Sequence, residues 1–326
     1  MSPDSRQDFA LAFLSILFEG APFILLGTLV SGFIDVYLPA GTMDRFLPRN
    51  RYRAVMAAGL LGAVFPVCEC AVVPVIRRLV KKGLSVSCAL TYMLAAPIVN
   101  PITALSTWKA FQGQDAAMMT SSRMVLGYLI AVAVGFIVMR LPLAAVLKAK
   151  LVESMEKDVV ENTRHEEHHE HDGCCGHDHH HEPAPDSGRK LVAAFRSAMK
   201  DFVDVAVYFT VGVMITALFN TGIAPGAAWL DSLAQNPAAA PAALMGLAFV
   251  LSLCSTSDAF IAATLAKFSW GAKLAFLTFG PMMDVKLLFL YQTVLAKRFI
   301  VGLALGLFLA IGGISIVLQH FVFQMK

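Results

Sequence analysis

PVCECAVVP, residues 66–74, sets two thiols and a carboxylate between two prolines inside an otherwise apolar run. Each proline removes an amide donor and disfavours continuous helix. An ionisable Glu69 at the centre of a bilayer costs about 2.5–3.5 kcal/mol unless it lines a cavity or meets a partner. The bilayer itself is read from the rest of the chain: 57% of the 326 residues are hydrophobic and 15% charged, too apolar for an ordinary soluble domain. Apolar runs near the ~20 residues that cross a membrane recur along it. Runs of that length satisfy their backbone in lipid only as helices. The expected fold class is an all-α polytopic membrane protein with about eight membrane segments, some of them broken or re-entrant.

The N-terminal apolar stretch continues from Phe9 to about Leu38 without a small-residue cleavage pattern, so it reads as a retained helix and not a signal peptide. The formal charge of +3 is small. Lys and Arg sit mainly at the ends of apolar runs, as orientation signals do, and nothing points to nucleic acid. Of six cysteines, Cys68, Cys70, Cys88 and Cys254 lie in apolar segments while Cys174 and Cys175 lie in a hydrophilic one. That distribution implies metal or thiol chemistry and no disulfide framework.

Taken in order, the first helix spans about 9–38. Residues 54–76 run apolar through the cysteine motif, with Arg45, Arg49, Arg51 and Arg53 before and Arg77, Arg78, Lys81 and Lys82 after. Basic flanks on both sides favour a re-entrant hairpin with its tip near Cys68, because a single crossing would put one cluster outside. Residues 84–111 are interrupted by APIVNP at 96–101, and 123–140 read as a spanning helix. A charged stretch follows, then apolar segments near 201–222, 241–266, 271–296 and 299–322. The expected division is a first membrane repeat at 1–147, a cytoplasmic His/Cys-rich linker at 148–197 and a second membrane repeat at 198–326.

The halves resemble each other. Glu19 precedes Gly27 by eight residues and Pro39 by twenty; Asp204 precedes Gly212 by eight and Pro225 by twenty-one. Cys68 lies twenty-nine residues before Pro97, and Cys254 twenty-seven before Pro281. The connector after the first helix is Arg-rich in one half and lacks Lys and Arg in the other. Opposite orientation of two related units, an inverted repeat, produces that asymmetry.

In inverted-repeat transporters the substrate sits near the midplane, where discontinuous helices of the two halves meet. That rule gathers Cys68, Glu69, Cys70 and Asn100 with Cys254, Ser255, Thr256, Ser257, Asp258 and Asp284. Thiolates select soft or borderline ions such as Cu(I) and Zn(II), and the carboxylates balance charge or exchange protons. Blander readings stand beside this one: Cys88 as a small hydrophobe, Met282 and Met283 as core, Asp258 and Asp284 as caps of half-helices, and Glu19 and Asp204 as interface markers or proton relays.

HEEHHEHDGCCGHDHHH at 165–181 packs eight histidines, two cysteines and five acidic residues into seventeen positions. His165, His168, His169, His171, Cys174, Cys175, His177, His179, His180 and His181 are metal-ligand types that a pliable segment can wrap around an ion. No phosphate-binding glycine loop occurs, so transport would be secondary.

PVCECAVVP, APIVNP, LCSTSDAF at 253–260 and GPMMDVK at 280–286 together resemble the predicted-permease family that includes the organoarsenical efflux permeases, and within it the copper/zinc efflux members with a His-rich central loop. The resemblance covers nearly the whole chain. It implies a multi-pass efflux permease of the bacterial inner membrane, not an enzyme, with the family's motifs falling on Cys68 and Cys70, Pro97 and Asn100, Cys254 to Asp258, and Pro281 and Asp284. The expected cargo is Zn or Cu, with no tightly bound cofactor. Expected partners are the lipid bilayer, metal ions and a second copy of the chain in a homo-oligomer. Trivalent arsenic or antimony is the competing cargo, and a membrane thiol oxidoreductase or a non-transporting metal sensor the competing roles.

Overall fold

Helix ends in lipid need substitutes for missing backbone partners, and the side chains that supply them set the architecture. In a computed structural model the described residues are 3–37, 48–65, 67–149, 153, 187–222, 236 and 239–325. Their regular structure is helical apart from one antiparallel bridge between Leu147 and Leu295. The helices are α1 (Pro3–Tyr37), α2 (Arg51–Val64), α3 (Glu69–Lys81), α4 (Val86–Ala95), α5 (Pro101–Ala110), α6 (Ala116–Val138), the single turn α7 (Leu143–Val146), α8 (Ser187–Gly222), α9 (Ala239–Leu251), α10 (Asp258–Thr264), α11 (Trp270–Met282), α12 (Val285–Tyr291) and α13 (Lys297–Met325).

Among the described residues each half therefore shows a long first helix, four short ones and a long last one, the turn α7 aside. The caps repeat with the helices. Ser85 accepts from the Cys88 amide at the start of α4, and Asn100 from the Ile102 amide at the start of α5. Ser269 accepts from the Ala272 amide at the start of α11, and Asp284 from the Leu287 amide at the start of α12. Ser85 and Asn100 are fifteen residues apart, as are Ser269 and Asp284. Between α3 and α4, Gly83 at φ +101° lets Leu84 bond back to Leu79 and closes the helix within three residues of the next cap.

Several boundaries differ from the sequence reading. The run 54–76 is divided between two helices, one ending at Val64 and the next beginning at Glu69. Pro74 lies inside α3, which continues through Arg77 and Arg78 to Lys81. The helix expected at 123–140 begins at Ala116, which moves Arg123 from a membrane boundary into the helix interior. Helix α8 begins at Ser187, inside the stretch assigned to the linker. The histidines and cysteines at 165–181 lie outside the described residues.

Among the described residues five helical stretches are long and apolar enough to cross a bilayer: Arg6–Tyr37, Ala116–Val138, Leu191–Leu218, Trp270–Tyr291 and Lys297–His320. With the shorter apolar helices Val86–Ala95 and Ala239–Leu251 between them, they make a polytopic membrane protein. The equivalent helices α1 and α8 run antiparallel: Gly20 abuts Phe209, while Gly32, further along α1, abuts Ala194 and Ala198, earlier in α8. At Gly32 glycine is required because a Cβ would overlap the Ala194 carbonyl oxygen, and its absence lets the two helices approach closely. At the Asp35 end of this pair Arg78 ties three helices together: Nε donates to Asp201 at 2.8 Å, a terminal nitrogen meets Asp35 at 3.0 Å, and the other donates to Ser197 at 2.9 Å.

Candidate functional site

The break before α3 and the break between α9 and α10 bring the first half's cysteine motif against the second half's polar one. Cys68 is the N-cap of α3, in extended backbone, and Glu69 is its first residue. Asp258 likewise opens α10. Helical position thus pairs Glu69 with Asp258, three residues away from the alignment of Cys68 with Cys254.

Cys68, Glu69, Cys70, Cys254 and Lys286 line one small, partly open cavity, bordered by Ile16, Glu19, Gly20, Phe23 and Phe209 from the long helices, with Glu19 and Phe23 exposed. Its free volume of about 10 Å³ is near the room one water needs. Glu69 is 2% exposed. One of its oxygens meets Lys286 Nζ at 3.2 Å, and the other accepts from Ser255 Oγ at 3.3 Å. Lys286 Nζ also donates to the Ser252 carbonyl at 3.0 Å and the Leu253 carbonyl at 3.3 Å, and lies 3.6 Å from Asp284 Oδ2. These carbonyls are free because α9 ends there. Ser252 sits at φ +49°, an uncommon conformation for a residue with a Cβ. Its hydroxyl receives the Val285 amide at 3.2 Å.

The remaining predicted residues surround this centre. Thr256 Oγ1 donates to Cys254 Sγ at 3.5 Å, and Ser257 Oγ donates to Glu19 at 3.1 Å. Asp258 bonds Arg123 at 2.7 Å; the same guanidinium donates to the Ser255 carbonyl at 3.0 Å and to Thr107 at 2.8 Å. Asn100 caps α5 and does not line the cavity. Glu19 and Asp204, matched in sequence, part company: Glu19 lines the cavity, while Asp204 is half exposed and pairs with Arg77 at 3.6 Å. Met282 and Met283 are fully buried core.

Cys68, Cys70, Cys88 and Cys254 are free thiols. Among the described residues no three His, Cys, Asp or Glu side chains are gathered closely enough to hold a metal ion. The three cavity thiols share a space without converging on a point, and the carboxylate between them is turned to Lys286. His165, His168, His169, His171, Cys174, Cys175, His177, His179, His180 and His181 lie outside the described residues.

Two functional candidates were missed. Lys286 sits in the quoted motif GPMMDVK but reads there as a flanking charge, and Arg123 reads as the start of a membrane helix. The usable signal was charge balance: Glu69 and Asp258, in apolar runs, need counter-ions, and few cations lie inside such runs. A larger cleft of about 690 Å³, bordered by Arg49, Arg51, Ser85 and Cys88, contains none of the other predicted residues.

Comparison with known proteins places this arrangement. The chain is similar to the UPF0718 protein YcgR of Bacillus subtilis, 33% identical over 88% of this chain and 89% of that protein. It is 31% identical to a Streptococcus mutans protein named "Putative two-component membrane permease complex subunit", over 91% and 90% of the two chains. A shorter match, 25% identical over 29% of this chain and 27% of the other, joins it to the UPF0718 protein YraQ of Escherichia coli. No solved structure matches. The family described as "Predicted permease", ArsP_1, matches residues 7–325, so the chain belongs to that permease family.

Proposed function

We propose that the chain is a secondary efflux permease of the bacterial inner membrane that carries soft or borderline metal ions, zinc or copper, on the thiols of the Glu69 cavity. The observation that supports this most is that Cys68 and Cys70 from one half and Cys254 from the other line one partly open cavity where broken helices meet. Thiolates suit Cu(I) and Zn(II), and a site shared between halves that move against each other opens to each side in turn. The His-rich segment 165–181 is the cytoplasmic acceptor or sensor that feeds it. The streptococcal relative is named as a subunit of a two-component complex, so a companion membrane protein, beside a second copy of this chain, is part of the proposal.

Trivalent arsenic or antimony is the second reading, and Lys286 is the observation that favours it. An ammonium 3.2 Å from Glu69 repels an incoming cation, whereas a neutral arsenical needs only the thiols.

Uptake into everted vesicles, with and without a proton gradient, separates these readings. The proposal expects gradient-dependent accumulation of zinc or Cu(I), reduced by about tenfold or more in Cys68→Ser/Cys70→Ser, since removing soft ligands removes most of the affinity. Accumulation of arsenite alone selects the second reading. Unchanged uptake and unchanged metal tolerance in the double variant, at equal expression, sink both.

A further inference from the structure

Lys286 has three ammonium protons and four acceptors within reach. Glu69 Oε1, the Ser252 carbonyl and the Leu253 carbonyl take them at 3.2, 3.0 and 3.3 Å. The fourth, Asp284 Oδ2, lies at 3.6 Å, is wholly buried and has no hydrogen-bond partner among the described residues. Its sister oxygen is committed to capping α12 at 2.7 Å, so the orphaned oxygen faces the ammonium from a fixed carboxylate. The two carboxylates compete for one cation at distances differing by 0.4 Å (3.6 against 3.2).

The backbone beneath Lys286 is pinned. Gly212 on α8 lies so close that a Cβ there would come within 2.9 Å of the Lys286 Cα. Movement of the charge is therefore a matter of the four-carbon side chain, which has rotatable bonds to spare. Only one of the two acceptors, Glu69, also lines the thiol cavity.

We propose that Lys286 is the residue that sets cargo charge in this cavity: its ammonium holds the place of a cation on Glu69 and steps to Asp284 Oδ2 when a metal cation draws together Glu69 and the thiols, which do not converge in this structure. The inference rests on the metal reading above. Lys286 then keeps Glu69 neutralised when the cavity carries no cargo, and competes with the metal so that binding stays reversible. Release is assisted by the ammonium returning to Glu69. Asp284 is the parking position, without which the ammonium has no second carboxylate to move to.

The test is equilibrium binding of radioactive zinc to purified full-length protein in lipid nanodiscs, at one pH, for wild type, Cys68→Ser/Cys70→Ser, Lys286→Met and Asp284→Asn. Lys286→Met removes the competitor and is expected to bind zinc about tenfold tighter, given the strength of charge repulsion at this separation. The same variant is expected to export zinc more slowly from vesicles. Asp284→Asn keeps the helix cap, since asparagine caps equally well, and is expected to bind zinc about threefold to tenfold weaker. Zinc affinity in Lys286→Met equal to or below wild type overturns the inference while leaving the metal reading intact. Should Lys286→Met fail to give a monodisperse protein, Asp284→Asn decides, and unchanged affinity there overturns it. If wild-type binding is absent or does not depend on the cysteines, the metal reading falls and this inference with it.

Discussion

Glu69 and Asp258 open equivalent helices and each meets a cation from the opposite half, yet the two pairs differ in almost everything else. Asp258 takes Arg123 at 2.7 Å, and the guanidinium spends further protons on Thr107 and the Ser255 carbonyl. Arg123 is 1% exposed and does not line the Glu69 cavity. Glu69 takes Lys286 at 3.2 Å, beside three thiols, with a second carboxylate in reach of the same ammonium. A planar fork bonded to several elements makes a fixed joint; a point charge with more acceptors than protons is exchangeable. On the proposed reading, the difference separates a structural tie between the halves from the centre proposed to bind cargo.

Arg123→Met tests the joint and has the largest expected effect. It leaves Asp258 in the core without its counter-ion, at a cost of about 3–5 kcal/mol. Thermal unfolding in detergent should show a large loss of stability and poor yield of folded protein. Adding Asp258→Leu replaces the pair with apolar contact and should recover most of that stability. A single variant that melts like wild type would mean that Arg123 does not tie the halves together.

Glu69→Gln reverses the pattern. Lys286 keeps two carbonyls and Asp284 as neighbours, so the expected loss of stability is smaller, about 1–2 kcal/mol, near that of one charged hydrogen bond. Metal export from vesicles should nonetheless fall by about tenfold or more, because an anionic ligand for the cation is gone. A variant that loses stability as severely as Arg123→Met, or that transports normally, would erase the distinction between joint and centre.

The joint was hidden in the sequence and the centre was half visible, for physical reasons. Glu69 stands out because a carboxylate between two thiols and two prolines has no simple packing role. Its partner lies 217 residues away on another broken helix, and only the chain's folding puts Lys286 beside it. Arg123 misleads because a cation near the start of an apolar run resembles a membrane boundary. Seven helical residues in fact precede it, and Thr107 and Asp258 take its two terminal nitrogens in the interior. The broken helices were legible in outline from APIVNP and LCSTSDAF. The finer register was available in the fifteen-residue spacing from Ser85 to Asn100 and from Ser269 to Asp284, since serine, asparagine and aspartate mark helix starts. Pro74 shows the converse error: proline disfavours a helix, but α3 is buried on most sides and continues through it.

Ser255 touches both pairs by different atoms and offers the smallest and sharpest test. Its hydroxyl donates to Glu69 at 3.3 Å, whereas its backbone carbonyl receives Arg123 at 3.0 Å. Ser255→Ala removes the first contact and keeps the second. If the two pairs have separate duties, stability should change by about 1 kcal/mol or less, because the lost bond is long and the carboxylate keeps its lysine. Zinc affinity should shift by a few-fold, because Glu69 loses the donor that holds its second oxygen. Thermal unfolding and zinc binding on the same preparation read the two effects side by side. A loss of stability comparable to Arg123→Met would show that the hydroxyl holds the joint as well, and the two pairs would then be one network with one duty.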